Sequence, residues 1–184
     1  FRLPEYAIEV MTEEQRRYLS AWQKQCYEAG LVACDYPTAY GGGGHTGFQR
    51  IANQELSQAG VPYLINVIGL SMAAPTILNH GTEEQKRRLI PPLLAADEIW
   101  CQLFSEPEAG SDLAGLRTTA TPVEGGWVLN GQKVWTSYAQ YSRWGICLAR
   151  TDPELPKHKG ISYLVVDMEA DGVEIRPLQQ ITGD

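Results

Sequence analysis

The sequence has no basic run. Fifteen Lys and Arg stand against 22 Asp and Glu, a net charge of −7 with a pI near 5, which excludes a polyanion as the partner that organises the chain. No stretch can span a bilayer. The longest apolar run, residues 63–78, carries Asn66, Gly69, Ser71 and Pro75 and is too short and too polar. Thiols and imidazoles are few and scattered. Cys26, Cys34, Cys101 and Cys147 form no Cys-x-x-Cys pair, and none stands near His45, His80 or His158 at ligand spacing. That sets aside a structural zinc and a disulfide frame, and leaves reduced thiols in a cytoplasmic setting as the expectation. No signal peptide is visible. The chain begins at Phe1 and stops at Gly183-Asp184 after an expected strand, so both ends read as cut.

What is present suffices for a core: 184 residues, 43% of them apolar, make one domain or two small ones. The first half reads as helices. Thr12 and Gln15 form a capping box that opens a helix over 12–29, with Tyr18, Leu19, Trp22, Cys26 and Ala29 as its apolar stripe and Gly30 as its stop. A second helix is expected from Thr46 to about Ala59, ended by Gly60-Val-Pro62. Residues 64–80 read as helical but interrupted at Pro75, which should bend the helix or begin a new one. Thr82 and Gln85 make another capping box, for a helix toward Ala96 that Pro91-Pro92 should kink or end.

Between these helices, Gly42–Gly47 formally satisfies G-x-G-x-x-G. The segment before it is broken by Pro37, no βαβ unit follows, and no Lys-Ser/Thr completes a phosphate loop. The tract is therefore read as a glycine turn, not a dinucleotide fingerprint.

Beyond Asp97 the period changes. Strands are expected at 99–105, 118–123, 127–129, 132–137, 144–150, 161–167 and 173–178, with a turn at Glu124–Gly126 and the strongest hairpin signal at Asn130-Gly131. Helices first and strands second, without alternation, give an α+β chain. The expectation is an all-helical domain over residues 1–97, then an antiparallel, barrel-like or sandwich β domain over residues 98–184, incomplete at its C-terminal end.

The chemistry concentrates in Leu103–Asp112, L-F-S-E-P-E-A-G-S-D. Pro107 holds Glu106 extended and ends the ladder, and Ala109–Leu113 reads as a tight turn into a short helix capped by Ser111 or Asp112. Hydroxyls, free N–H groups and a helix start suit an anion such as phosphate. Spacing alone favours an ordinary strand–loop–helix connection.

Leu103–Leu116 followed by N-G-Q-K-V-W-T-S, Asn130–Ser137, resembles the FAD-contacting signature of the acyl-CoA dehydrogenase family. The likeness extends in order over Tyr40–Gly44, Asn79–Lys86 and Lys159–Asp167. The resemblance implies FAD on the β domain, with Gln102, Leu103, Phe104 and Ser105 at the isoalloxazine, the last two toward its pyrimidine edge, and Gly110 and Ser111 at the pyrophosphate. Ser111 would also lie beside the thioester. Trp135 would pack on the ring system, and Thr136 and Ser137 would supply donors near N5. Two departures stand out: Thr136-Ser137 replaces an aliphatic residue and threonine, and Glu108 replaces a glycine. His158, in the loop Pro156–Lys159, would contact CoA.

The implied reaction is α,β-desaturation of an acyl-CoA, as in fatty-acid β-oxidation, with electrons passed to an electron-transferring flavoprotein and a homodimer or homotetramer as the assembly. The family's base is a glutamate in a C-terminal helical domain that this chain lacks, so no catalytic residue is assigned here; Glu106 and Glu108 belong to the cofactor loop. An acyl-CoA oxidase, a flavin monooxygenase on the same frame, or a non-catalytic partner subunit stays open, and the acyl class is not legible.

Overall fold

The computed structural model describes Leu3 and residues 10–178; the chain end at Gly183-Asp184 lies outside them. Two compact units result. The first ends at Trp100 and takes in residues 176–178 as well; the second is Cys101–Ile175.

The first unit is helical: α1 (Glu13–Glu28), α2 (Phe48–Gln58), α3 (Ala74–His80) and α4 (Glu83–Leu94). Both capping boxes form. The Thr12 and Thr82 hydroxyls accept from the Gln15 and Gln85 N–H groups while each glutamine side chain accepts from the cap's own N–H. After α1, Leu31 N–H returns to the Cys26 carbonyl and Gly30 N–H to that of Tyr27, a complete Schellman stop. The stripe of α1 differs from the reading: Leu19, Gln23 and Cys26 are buried, whereas Tyr18 and Ala29 face solvent. Pro75 stands in the first turn of α3, as expected of a proline that begins a helix. A π-turn, Gly69–Ala73, runs directly into α3, and Ala74 N–H reaches back to the Gly69 carbonyl just ahead of the missing proline donor. Pro91 and Pro92 lie within α4, which continues to Leu94.

A polar hub holds this unit. Asn66, fully buried, donates to the Leu93 and Glu98 carbonyls at 2.9 and 3.0 Å and accepts from Trp100 N–H at 3.0 Å. Its own N–H goes to buried Gln23, which in turn donates to the Leu94 carbonyl. Gly69 makes room for it: a Cβ there would lie 2.5 Å from the Asn66 side-chain oxygen. The glycine tract is a folded turn whose donors are spent internally. The N–H groups of Gly42, Gly43, Gly44 and His45 bond the carbonyls of Pro37, Ala33, Tyr36 and Cys34, which takes those four away from a phosphate. Beside it, an open and mostly apolar cavity of about 320 Å³ lies among Val32, Tyr36, Tyr63, Leu64, Val67 and Leu70.

The second unit carries a sheet in the order β1-β4-β2-β3, with β5 on β4: β1 (Trp100–Leu103), β2 (Thr119–Val123), β3 (Gly126–Asn130), β4 (Trp144–Arg150) and β5 (Ile161–Asp167). β4 and β5 are antiparallel over seven pairs, whereas β2 runs parallel to β4 through the single pair Thr119↔Arg150. The sheet is thus mixed and open, not antiparallel and barrel-like. β2 and β3 form a hairpin about Glu124-Gly125.

Three strand-level expectations fail. Asn130-Gly131 is no hairpin turn; Gly131 is there because a Cβ would strike the Thr118 side chain and Cα. Residues 132–137 are irregular because Lys133 turns inward and Trp135 takes a left-handed φ of 58°. Residues 173–178 pair with no strand.

Asn66→Ala should remove about 2–4 kcal/mol of stability, since the partners of a buried amide are left unpaired. Urea unfolding checks this, and a loss under about 1 kcal/mol would contradict the hub.

Candidate functional site

Within the second unit the loop after β1 is shaped by its own hydrogen bonds. Glu106 and Ala109 exchange both N–H···O contacts, at 2.8 and 3.1 Å, around Pro107-Glu108. The Glu106 side chain then turns inward. It accepts from the N–H groups of Arg117 at 2.6 Å and Thr118 at 3.0 Å, and from the Lys133 ammonium at 2.7 Å.

Lys133 is just as enclosed. Its three donors go to Glu106, to the Phe104 carbonyl at 3.2 Å and to the Leu148 carbonyl of β4 at 2.8 Å. Side-chain exposure is 9% for Lys133 and 6% for Glu106. Such burial is tolerable only because the carboxylate meets three donors and the ammonium three acceptors. Burial alone would raise the Glu106 carboxyl, but hydrogen bonds from Lys133, Thr118 and Arg117 outweigh it and hold the group at about 2.

This pair brings two expected site segments together. Gln102 and Leu103 end β1, Phe104 and Ser105 follow, and the Ser105 carbonyl accepts from Val134 N–H at 2.9 Å. Phe104 sets its ring edge-on to Tyr163 of β5, with centroids 6.4 Å apart. Beyond Val134 the backbone is left-handed at Trp135 and at Tyr138, φ 58° and 66°, an unfavourable state for bulky residues that clusters at functional sites. Tyr138 is buried, but the Trp135 indole is 73% exposed. Beside it the Thr136 hydroxyl is buried with no hydrogen-bond partner among the described residues, and Ser137 is exposed.

Gly110 and Ser111 lie further along the loop, both exposed, and nothing lies within 4 Å of where a Gly110 Cβ would point. The expected helix start is only the three-residue 3₁₀ turn Leu113–Gly115, and Asp112 makes no side-chain cap. Its carboxylate pairs instead with Lys157 at 2.5 Å. No helix dipole is therefore available here for an anion, and the free N–H groups of the loop are the remaining donors. Glu108, where the signature has glycine, pairs with Arg117 at the surface.

Arg150 fixes the loop that carries His158. Its guanidinium donates to the Ala114 carbonyl at 2.9 Å and to those of Leu116, Lys157 and Lys159 at 3.3–3.5 Å. His158 itself is exposed. Sequence reasoning missed the Glu106–Lys133 pair and Arg150. The available signal was a lysine inside residues 132–137, a run read as a strand, where a buried charge needs a partner.

No group of His, Cys, Asp and Glu able to hold a metal occurs among the described residues, and none of their helices is long and apolar enough to cross a membrane. All four cysteines are free and buried, and burial pushes the Cys101 thiol up to about 11.

Residues 2–97 match the family model described as acyl-CoA dehydrogenase, N-terminal domain, and residues 101–183 the one described as acyl-CoA dehydrogenase, middle domain. Acyl-CoA dehydrogenase FadE34 of Mycobacterium tuberculosis is 52% identical over 96% of this chain and 24% of its own length; IpdE1 of Mycolicibacterium smegmatis is 42% identical over 93% and 46%. The chain thus spans from a quarter to just under half of these relatives. Among solved structures, "Tcur3481-Tcur3483 steroid ACAD" superposes with a TM-score of 0.81 at 34% identity, covering 96% of this chain and 45% of that one. The ChsE4-ChsE5 complex from Mycobacterium tuberculosis gives 0.76 at 37% identity, covering 94% and 46%.

The Glu106 carboxyl is depressed in the folded state, so its contribution should be fully present above about pH 4.5 and lost as pH falls toward 2. At neutral pH Glu106→Gln should be less stable by on the order of 3 kcal/mol. Urea unfolding of both proteins from pH 7 to pH 2 should show that gap closing below pH 4.5; a gap independent of pH would contradict the ion pair.

Proposed function

The chain belongs to the acyl-CoA dehydrogenase family, and on that premise we propose that it forms the FAD- and acyl-CoA-contacting part of an enzyme that desaturates an acyl-CoA thioester between Cα and Cβ. The observation that carries this reading is Trp135, a large aromatic held in a left-handed backbone state yet 73% exposed. A side chain of that size, strained and uncovered, suits a flat ligand on its face.

The neighbouring residues fit a flavin: the unpartnered Thr136 hydroxyl, the exposed Ser137 and the open space at Gly110. Bound FAD would supply the hydride acceptor. In this reading Trp135 forms an aromatic wall, and Thr136 and Ser137 aim hydroxyl donors at its N5 side. Gln102, Leu103, Phe104 and Ser105 line the isoalloxazine, and the free N–H groups of Gly110 and Ser111 take the pyrophosphate. Ser111 also borders the thioester, and His158 faces the CoA moiety. Donors fixed in advance stabilise the negative charge that gathers on reduction, without reorganisation during the reaction.

The α-proton is removed by a base supplied outside these 184 residues, and an electron-transferring flavoprotein takes the electrons. The solved relative named "steroid ACAD" favours a bulky polycyclic acyl group as the substrate class. The two-chain names of the solved relatives bring a non-identical second chain forward as the partner, beside the homo-oligomer expected from the resemblance.

The full-length protein should show a flavin spectrum after desalting; a colourless protein that added FAD cannot reconstitute would remove the reading. Ser137→Ala should retain FAD while losing one preorganised donor, roughly 1–3 kcal/mol, or about ten- to a hundredfold in the rate of flavin bleaching by substrate. Bleaching at the parent rate in stopped flow would take Ser137 out of the site.

A further inference from the structure

We propose that Lys133 and Glu106 act together as the positioning pair of the flavin site, holding the Phe104 carbonyl inward so that the Ser105 N–H is left facing the cofactor. The proposal rests on the flavin reading above and concerns side chains that touch no ligand themselves.

The geometry begins at one peptide plane. Lys133 Nζ donates to the Phe104 carbonyl at 3.2 Å, and no cis peptide bond occurs among the described residues. In a planar trans peptide the C=O and the following N–H point opposite ways. An inward Phe104 carbonyl therefore sends the Ser105 N–H outward, and that N–H makes no hydrogen bond among the described residues. The next plane is fixed too, because the Ser105 carbonyl takes the Val134 N–H at 2.9 Å.

Lys133 can hold this position because its other donors are anchored, on Leu148 of β4 and on Glu106. Glu106 is anchored in turn by the Arg117 and Thr118 N–H groups. An ion pair serving stability alone could sit at any two strands and need only satisfy itself. This one uses an ammonium donor on the single carbonyl that decides which way the loop's free N–H points.

Without the ammonium, the Phe104 carbonyl has no buried donor, and the plane is free to rotate toward water. Rotation would turn an oxygen lone pair where the N–H had been. A lone pair there opposes the negative charge on the pyrimidine edge of reduced flavin, and a donor favours it. The pair should thus show itself in affinity and in redox potential, not in folding alone.

The test uses the full-length holoprotein and three variants. Lys133→Met/Glu106→Gln removes both charges and leaves neither buried alone; Glu106→Gln keeps the ammonium on the Phe104 carbonyl and removes only the charge that anchors it. Arg143→Met/Asp167→Asn is the control, since it deletes another ion pair of the same sheet, between the residue before β4 and the end of β5. For each, urea unfolding of the apoprotein, FAD affinity by fluorescence quenching and the midpoint potential of the bound flavin are measured.

The double variant should bind FAD about tenfold more weakly, the loss of one net hydrogen bond, with a more negative potential. Glu106→Gln should shift both in the same direction by less, and it decides alone if the double variant does not fold. The control should fall in urea midpoint but keep the parent affinity and potential. Parent values in the Lys133 and Glu106 variants, or equal shifts in the control, would overturn the proposal. A parent protein that binds no FAD would overturn the flavin reading with it, so the two failures are told apart.

Discussion

A single buried ammonium, that of Lys133, decides the shape of the second unit. It reaches three acceptors from two separate stretches of chain: Phe104 and Glu106 in the loop after β1, and Leu148 in β4. Each is remote in sequence, so the bonding costs loop closure as well as desolvation. Glu106 offsets the ammonium's charge and extends the tie to the start of β2. Everything exposed around the pair, from Ser105 to Ser137, hangs from main-chain positions that it fixes. The exposed surface is left to chemistry because the constraint lies beneath it.

The first unit solves a similar problem with neutral groups. Gln23 and Asn66 are both fully buried and lie among the carbonyls of Leu93, Leu94 and Glu98. Those carbonyls belong to the end of α4 and the turn after it, where helical bonding runs out. Amide side chains can serve as both donor and acceptor, so two of them satisfy what a cap would otherwise have to reach from solvent. The neutral hub does not depend on pH, whereas the charged pair of the second unit does.

That difference also explains what the sequence made legible. Helix starts were readable because a capping box is a four-residue device, and Thr12/Gln15 and Thr82/Gln85 both form it. The order of helices before strands was readable from period alone. The strand expected at 132–137 was not recoverable in this way: Lys133 is drawn inward by a partner 27 residues earlier. Asn130-Gly131 misled for a like reason, since the glycine answers to the approach of Thr118 and not to a turn. In the candidate site, the motif located Trp135 and the residues around it. Which of them would be exposed, and which strained, depended on the left-handed backbone at Trp135 and Tyr138. Gln23 escaped the stripe reading because a polar residue on a buried face is indistinguishable from a solvated one until its acceptors are known.

The mixed sheet has a further consequence in its uneven bonding. β4 and β5 are zipped over seven residue pairs, but the β2–β3 hairpin meets β4 at one, Thr119↔Arg150. The hairpin also carries Val123, Trp127 and Val128 at about half exposure, with little packing to hold it. Its attachment at the base passes through the Glu106 carboxylate, which takes the two N–H groups just before β2. The hairpin is then a subglobal opening unit with an electrostatic latch at its base. Its amide protons would exchange with deuterated solvent well before those of β4, and the latch would set how long they wait.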